Sequence, residues 1–297
     1  MPPLLEIDYT PRAASPHSAP PDDHYARALE SGQVLYFPAP PIELPDADRD
    51  FLVAQRRGDS AVHKNVSYRP ATNVLRGWSG PRETRERLCD VLGAFSARAR
   101  AFVCAFLPAY AAGLQMDYTS FRPLEEQGRQ LPLHKRNDLL HVDAFPSRPT
   151  RGGRILRFFV NLHPEKMRVW NVGQPFDILA KQYAADAGLE KIAASKGASL
   201  WRWLAVGRAR YSAYDRFMLH FHDYLKENSA YQSSGEKTRL EFPPGSAWLA
   251  YTDGVPHAVL AGQHAIEQTF IIPPASLVAP EHAPIRVLES LAGHPLA

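Results

Sequence analysis

Two histidines and one aspartate give the clearest chemical signal in the sequence. His141 and Asp143 flank Val142 in a short apolar run, and His257 follows much later, directly after Gly-Val-Pro. Residues two apart in an extended strand project from the same face, so we expect His141 and Asp143 to point together. Two histidines and one carboxylate form the facial triad that binds Fe(II) and leaves positions open for other ligands. We therefore predict that these three residues bind iron and form the catalytic centre of an oxygen-using enzyme.

The surroundings of the second histidine strengthen this prediction. An isolated His-x-Asp motif often arises by chance, and most such motifs do not bind a metal. The stretch before His257, however, reads Pro-Gly-Ser-Ala-Trp, then a hydrophobic strand, then Gly-Val-Pro-His. This strand–turn–strand layout is typical of cupin barrels, which hold metals on their inner walls.

A second histidine cluster competes with the triad for the metal. His220-Phe221-His222-Asp223 is dense in potential ligands, but the apolar spacing around it predicts a helix. Residues two apart on a helix point about 200° apart, so His220 and His222 would not bind one ion. His220 and Asp223 share a face, which leaves a hydrogen-bonded pair or a substrate contact open. We favour a structural role for this cluster.

Arginines are concentrated just after the first histidine. The guanidinium group is a rigid fork that pairs with carboxylates and phosphates. Arg157 and Asn161 share one face of a predicted strand and would anchor the distal carboxylate of 2-oxoglutarate inside the barrel, with Arg154 on the other face as the alternative. Arg148, Arg151 and Arg168 are the candidates for binding an anionic substrate.

Strands and helices alternate in a way that positions these residues. Arg154–Leu162 alternates as a strand with two well-separated faces, and Leu139–Asp143 is a shorter strand candidate. Four aromatic and β-branched strands, separated by turns, follow between residues 240 and 272. A helical segment at about 175–231 interrupts the strands, and residues 81–116 contain an amphipathic helix of about 26 residues that ends near Pro108.

The N-terminal region is rich in proline. Ten of the 27 prolines lie in the first 45 residues, so we interpret residues 1–50 as an arm with one short helix and one strand. The whole pattern predicts a single α+β domain over residues 1–297. Its core, residues 131–272, is a double-stranded β-helix (a jelly-roll or cupin-like barrel) with flanking N-terminal helices and a helical insert.

Composition excludes several other classes of protein. A net charge of +3 over 297 residues does not support nucleic-acid binding. Two cysteines cannot build a disulfide framework, and no C-x-x-C pair is present for zinc. The longest uncharged run has 16 residues, shorter than a membrane span, and the first residues lack the features of a signal peptide. We therefore expect a cytoplasmic protein.

A longer motif around the triad resembles a known family. His141-Val142-Asp143-Ala144-Phe145-Pro146-Ser147-Arg148-Pro149-Thr150, continuing to Gly153-Arg154-Ile155-Leu156-Arg157 and Asn161, resembles the Kdo hydroxylases, where Kdo is 3-deoxy-D-manno-oct-2-ulosonic acid. The resemblance extends over most of the chain, including residues 168–173, 217–228 and 254–257.

The resemblance implies a fold and an activity. Members of this family are Fe(II)- and 2-oxoglutarate-dependent dioxygenases that use O₂, with ascorbate as an accessory reductant, to hydroxylate C3 of a Kdo residue on lipid A in the lipopolysaccharide inner core. His141, Asp143 and His257 would be the iron ligands. The protein would lie in the cytoplasm of a Gram-negative bacterium and contact the inner membrane surface.

One feature departs from the wider dioxygenase superfamily. The basic residue that usually anchors 2-oxoglutarate after the second histidine is replaced by Glu267-Gln268-Thr269. The anchor would then come from the earlier strand, as Arg157 or Arg154. Two other classes stay open on the residues alone: a non-catalytic cupin module that binds or senses a sugar, and a cupin sugar isomerase or epimerase.

Overall fold

Two facing sheets form the centre of the protein in the computed structural model, which describes residues 3–9, 23–55, 62–194 and 211–297. The larger sheet has eight strands in the order β1-β2-β9-β6-β11-β5-β3-β4, and the smaller has three in the order β10-β7-β8. The strands are β1 (Leu4–Glu6), β2 (Val34–Phe37), β3 (Val62–Arg69), β4 (Val74–Trp78), β5 (Gln115–Arg122), β6 (Arg154–Asn161), β7 (Arg168–Val172), β8 (Thr238–Phe242), β9 (Ala247–Tyr251), β10 (His257–Ala261) and β11 (Ala265–Ile272). All pairings are antiparallel except β1 with β2.

The two faces of the large sheet have different surroundings. Its inner face packs on the small sheet through an aromatic cluster in which Phe159 and Trp248 stack at 5.0 Å and Trp170 of β7 lies edge-on to both. Its outer face is covered by the long helix α3. The helices of the structure are α1 (His24–Glu30), α2 (Asp46–Ala54), α3 (Arg82–Phe106), α4 (Phe176–Tyr183), α5 (Leu189–Ala194), α6 (Ala213–Glu227), α7 (Ser229–Ser234) and α8 (Pro284–Ala292).

Helix α3 supplies much of the main hydrophobic core. Phe95 is fully buried at its centre and stacks on Phe158 of β6, with the ring centroids 6.1 Å apart. We expect Phe95→Ala to lower the free energy of unfolding by about 3–5 kcal/mol, because it removes buried surface and leaves a cavity. Urea denaturation measures this change. Arg100→Ala, at an exposed position of the same helix, should change stability by less than about 0.5 kcal/mol. A similar value for both variants would contradict this assignment of the core.

A second core packs the helical insert against one end of the barrel. Residues of α4, α6 and α8 form it together with Leu140, Val142 and Ala258. Leu140 and Val142 directly flank His141, and Ala258 follows His257. The insert therefore supports the two segments that carry the predicted metal ligands.

The predicted fold class is confirmed, with differences in its elements. Residues 139–143 form no regular strand, and only an isolated bridge joins His141 to His257. The long helix ends at Phe106, and Gln115 already begins β5. The N-terminal arm contributes two strands, β1 and β2, where one was predicted, and β3, β4, β5 and β7 are also additional to those predicted. Residues 195–210 of the predicted insert lie outside the described residues.

Candidate active site

Backbone hydrogen bonds place the three predicted metal ligands side by side. The N–H of His257 donates to the carbonyl oxygen of His141 at 2.9 Å, and the N–H of His141 donates to that of His257 at 3.2 Å. The N–H of Asp143 donates to the carbonyl oxygen of Thr252 at 2.8 Å. The segment before β6 is thereby held against the start of β10, which brings together side chains far apart in the sequence.

Each imidazole ring is oriented by a backbone carbonyl group. Nδ1 of His141 lies 2.8 Å from the carbonyl oxygen of Leu139, and Nδ1 of His257 lies 2.9 Å from that of Val255. A carbonyl oxygen only accepts hydrogen bonds, so Nδ1 carries the proton in both rings. Nε2 then keeps its lone pair, which is the form of histidine that binds metals.

The donor atoms converge as a metal site requires. Nε2 of His141 and of His257 lie 3.9 and 4.0 Å from carboxylate oxygens of Asp143, and the ligand atoms of all three residues lie within 4.8 Å of one another. Oδ2 of Asp143 is buried and forms no well-directed hydrogen bond with the residues that the structure describes, although Nη2 of Arg157 lies 3.2 Å away. Two imidazole lone pairs and an under-used carboxylate therefore fit a divalent metal such as Fe(II).

Aromatic rings fix the positions of the two histidines. The indole of Trp170 stacks on His257 with the centroids 5.0 Å apart, and the ring of His222 lies edge-on to His141 at 4.9 Å. Nδ1 of His222 also donates to the carbonyl oxygen of Val142 at 2.7 Å. The second histidine cluster thus contacts the triad through His222 in a supporting role, whereas His220 is exposed.

A neighbouring arginine keeps the aspartate ionised. Burial opposes ionisation of Asp143, but the positive charge of Arg157 outweighs it and holds the pKa of Asp143 well below its usual range. Nη2 of Arg157 lies 3.2 Å from Oδ2 of Asp143. The carboxylate is therefore available as an anionic ligand throughout the physiological pH range.

Acid should destabilise the metal-free protein through the two ligand histidines. Burial lowers the pKa of both His141 and His257 below the ordinary value of 6.5. Below that pH the unfolded chain takes up protons that the folded protein does not, so stability falls as pH decreases. Each imidazole contributes at most about 1.4 kcal/mol per pH unit, and only at pH values between its folded-state pKa and 6.5. Urea unfolding in the presence of a chelator, between about pH 7.5 and pH 5.5, measures the slope. The double variant His141→Gln/His257→Gln should reduce the slope, and an unchanged slope would contradict the assignment.

An arginine pair and a glutamate extend the site along the inner face of the large sheet. Arg122 of β5 holds Glu267 of β11 with its Nη2 2.9 and 3.0 Å from the two carboxylate oxygens. Nη1 of Arg157, from β6, lies 3.4 Å from the same carboxylate. Glu267 thus stands where a basic anchor was expected and holds two arginines beside the triad. Sequence reasoning missed Arg122, although an acidic residue inside the apolar strand β11 signals a buried basic partner.

A further buried arginine enters the barrel from the small sheet. Arg168 lies on the same face of β7 as Trp170 and is fully buried. Its nearest carboxylate, on Glu126, is 3.9 Å away, and its Nη1 donates to the carbonyl oxygen of Gly262 at 3.3 Å. Its Nε and Nη2 have no hydrogen-bond partner among the described residues. Burial, together with the charge of Arg122, lowers the pKa of Arg168 to about 10. A buried cation this poorly compensated favours binding of an anion inside the barrel.

Two of the residues predicted to bind 2-oxoglutarate are occupied elsewhere. Arg154 lies on the outer face of β6, where its Nε donates to Asp253 at 3.0 Å and its guanidinium covers the ring of Tyr251. Asn161 donates to the carbonyl oxygens of Lys166 and Phe242 and accepts from the N–H of His163. The structure therefore brings neither side chain to the triad. Strand alternation turns Arg154 outward, and the amide group of Asn161 is occupied by its hydrogen bonds to Lys166, Phe242 and His163.

The two predicted substrate arginines of the 144–151 loop differ in their surroundings. The guanidinium of Arg148 lies between the rings of Phe145 and Tyr118, 4.1 and 4.3 Å from their centroids, and pairs with Asp117. Arg151 is exposed in a left-handed turn, with φ at 52°, and its N–H donates to Asp215. Arg148 is thus next to the site, whereas no contact links Arg151 to it among the described residues.

Comparisons with known proteins agree with this geometry. A family profile described as 3-deoxy-D-manno-oct-2-ulosonic acid (Kdo) hydroxylase matches residues 13–295. The chain belongs to the Kdo hydroxylase family. A crystal structure of the Kdo hydroxylase KdoO with α-ketoglutarate and Fe(III) is 33% identical, with a TM-score of 0.87, and the match covers 99% of this chain and 97% of that one. The cobalt(II) complex of KdoO is 34% identical over the same shares of the two chains, with the same TM-score.

The other comparisons add little. No curated protein sequence gave a significant match. Within the described parts of the chain, no helix has the length and apolar character needed to cross a bilayer.

Proposed function

We propose that this protein is an Fe(II)- and 2-oxoglutarate-dependent dioxygenase that hydroxylates C3 of a Kdo residue carried on lipid A. The observation that carries the proposal is the convergence of His141, Asp143 and His257, with both Nε2 lone pairs available. Family membership and the two KdoO complexes support the choice of iron and of 2-oxoglutarate.

His141, Asp143 and His257 would hold the iron, and neighbouring groups orient their side chains. Bound Fe(II) would couple the oxidative decarboxylation of 2-oxoglutarate to the insertion of one oxygen atom of O₂ into a substrate C–H bond. The Leu139 and Val255 carbonyl groups keep the imidazoles in the binding tautomer. Trp170 and His222 limit rotation of the rings, which favours a fixed ligand geometry.

The buried arginines of the barrel are suited to a dicarboxylate. Arg157 lies beside Asp143, Arg122 shares Glu267 with it, and Arg168 is poorly compensated. We propose that Arg157, assisted by Arg122 and Arg168, binds the carboxylate of 2-oxoglutarate that is remote from the iron. This modifies the initial prediction, because Arg154 and Asn161 are engaged elsewhere.

The loop after the triad is suited to the anionic sugar. The side chain of Arg148 is 26% exposed, and its guanidinium stacks on Phe145 near the triad. We propose that Arg148 and Arg151 bind the carboxylate of Kdo or the anionic groups near it. We propose that the enzyme acts in the cytoplasm and meets its glycolipid substrate at the surface of the inner membrane.

Anaerobic addition of Fe(II) and 2-oxoglutarate tests the proposed class of reaction. We expect a visible charge-transfer band, which requires both to bind at one centre, and we expect Asp143→Ala to lose it. A metal-independent isomerase or a non-catalytic sugar-binding module would show no such band. Absence of the band under conditions where iron binding is verified by metal analysis would therefore contradict the proposal.

A further inference from the structure

A row of arginines continues from the site to the open edge of the large sheet. The guanidinium of Arg157 lies 5.7 Å from the ring centroid of Phe145, and Arg148 lies between Phe145 and Tyr118. The guanidinium of Arg69, on β3, covers Tyr118 at 5.4 Å. Arginine and aromatic side chains thus alternate from the metal ligands to an exposed strand.

Strand register places the end of this row on the inner face of the sheet. Val66 and Tyr68 of β3 pack into the core under α3, so Ser67 and Arg69 point to the opposite, inner face. Ser67 pairs with Arg76 of β4, which therefore lies on that face too. We call Ser67, Arg69, Arg76 and Tyr118 the open arginine face.

This face is exposed and carries uncompensated positive charge. Among the described residues, the small sheet packs on β2, β6 and β9, and β3 and β4 contribute no side chain to that contact. Arg69 and Arg76 are exposed, and the intervening Val74 is 39% exposed. Neither arginine forms an ion pair with any described residue, whereas Arg148 is neutralised by Asp117. Exposed arginines without acidic partners attract anions.

The distance from the metal ligands limits which anion can reach the face. Neighbouring strands are about 4.8 Å apart, so β3 and β4 lie about 14 and 19 Å from β6 across the sheet. The carboxylate of Kdo is only two bonds from C3 and must stay near the triad when C3 is hydroxylated. An anion on the open arginine face therefore belongs to the part of the substrate beyond the Kdo ring.

We infer that the open arginine face binds a phosphate ester of the glycolipid that carries the Kdo. The inference rests on the proposed function. Arginine forks pair bidentately with phosphate oxygens, and Ser67, between the two arginines, can donate its hydroxyl to the same group. The protein would thus select a phosphorylated glycolipid over free Kdo or a dephosphorylated carrier.

Steady-state kinetics of paired substrates test the inference. We would compare a phosphorylated Kdo glycolipid with the same glycolipid after phosphatase treatment, using wild type and Arg69→Gln/Arg76→Gln. The wild type should prefer the phosphorylated substrate in kcat/KM, and this preference should fall about tenfold in the double variant, in keeping with the loss of charged hydrogen bonds. The matched control Arg100→Gln removes one exposed arginine from α3, on the far side of the sheet, and should keep the preference.

Three outcomes would overturn the inference. An unchanged preference in the double variant is the first, and an equal loss of kcat/KM on both substrates is the second. The third is that the double variant loses as much affinity for phosphatidylglycerol vesicles without glycolipid as for the phosphorylated glycolipid. That result would indicate a surface that binds any anionic membrane. If the wild type hydroxylates neither substrate, the proposed function fails. Binding to phosphatidylcholine vesicles that carry either glycolipid then tests the face alone, and equal binding by wild type and variant contradicts it.

Discussion

Asp143→Ala is expected to abolish hydroxylation and to weaken Fe(II) binding by more than about 100-fold. Asp143 is the single carboxylate among three converging ligands, and its ionised state is maintained by Arg157. Loss of an outer partner of a metal ligand typically costs about 10–100-fold in affinity or activity, so loss of the ligand itself should cost more. Isothermal titration with Fe(II) under anaerobic conditions and succinate release under air measure the two effects.

A histidine outside the triad provides the control for this prediction. His220 is exposed on α6 and belongs to the cluster that competes with the triad in sequence. His220→Ala should keep iron affinity and turnover within about twofold of wild type, because surface substitutions rarely perturb a remote site. Normal succinate release and hydroxylation by Asp143→Ala, or loss of iron binding by His220→Ala, would show that the metal site is assigned to the wrong residues.

Arg157→Gln is expected to raise KM for 2-oxoglutarate by about 100-fold. The side chain is 11% exposed and lies between Asp143 and Glu267, so its charge acts in a largely desolvated setting. Truncating one partner of a buried charged pair costs about 2–5 kcal/mol, which corresponds to a change of this size. Initial rates of succinate formation at varied 2-oxoglutarate, with iron saturating, measure KM.

Arg154→Gln is the control that distinguishes a specific role of Arg157 from the general effect of removing an arginine from β6. It lies three residues earlier in the same strand but pairs with Asp253 on the outer face. Arg154→Gln breaks a buried ion pair and should lower the free energy of unfolding by about 3–5 kcal/mol. Its KM for 2-oxoglutarate, measured at low temperature on folded protein, should change far less than that of Arg157→Gln. The reverse order of KM effects would assign the anchor to Arg154.

Local patterns in the sequence predict the triad and the principal helix well. His141-Val142-Asp143 and the Gly-Val-Pro-His stretch combine residue chemistry with turn signals, and the structure brings both together. The helix from Arg82 to Phe106 follows from a long, regular apolar repeat. Both features depend on neighbouring residues, where periodicity is most informative.

Features that depend on long-range pairing were harder to predict. Strand alternation separates Arg154 from Arg157, but which face is inside depends on where α3 packs. The contact of Arg122 with Glu267 depends on the register of β5 against β11, which includes a bulge. The short segment around His141 forms a bridge rather than a strand because its neighbours pack on the insert helices instead of pairing.

Mass spectrometry of a Kdo glycolipid after reaction under ¹⁸O₂ tests directly whether the protein hydroxylates Kdo. The purified protein would be incubated with Fe(II), 2-oxoglutarate and Kdo-lipid A, with Asp143→Ala as the inactive control. We expect the sugar to gain one ¹⁸O atom at C3 and succinate to form in equal amount. A Kdo residue recovered without added oxygen, while the wild-type protein holds iron and 2-oxoglutarate, would contradict it.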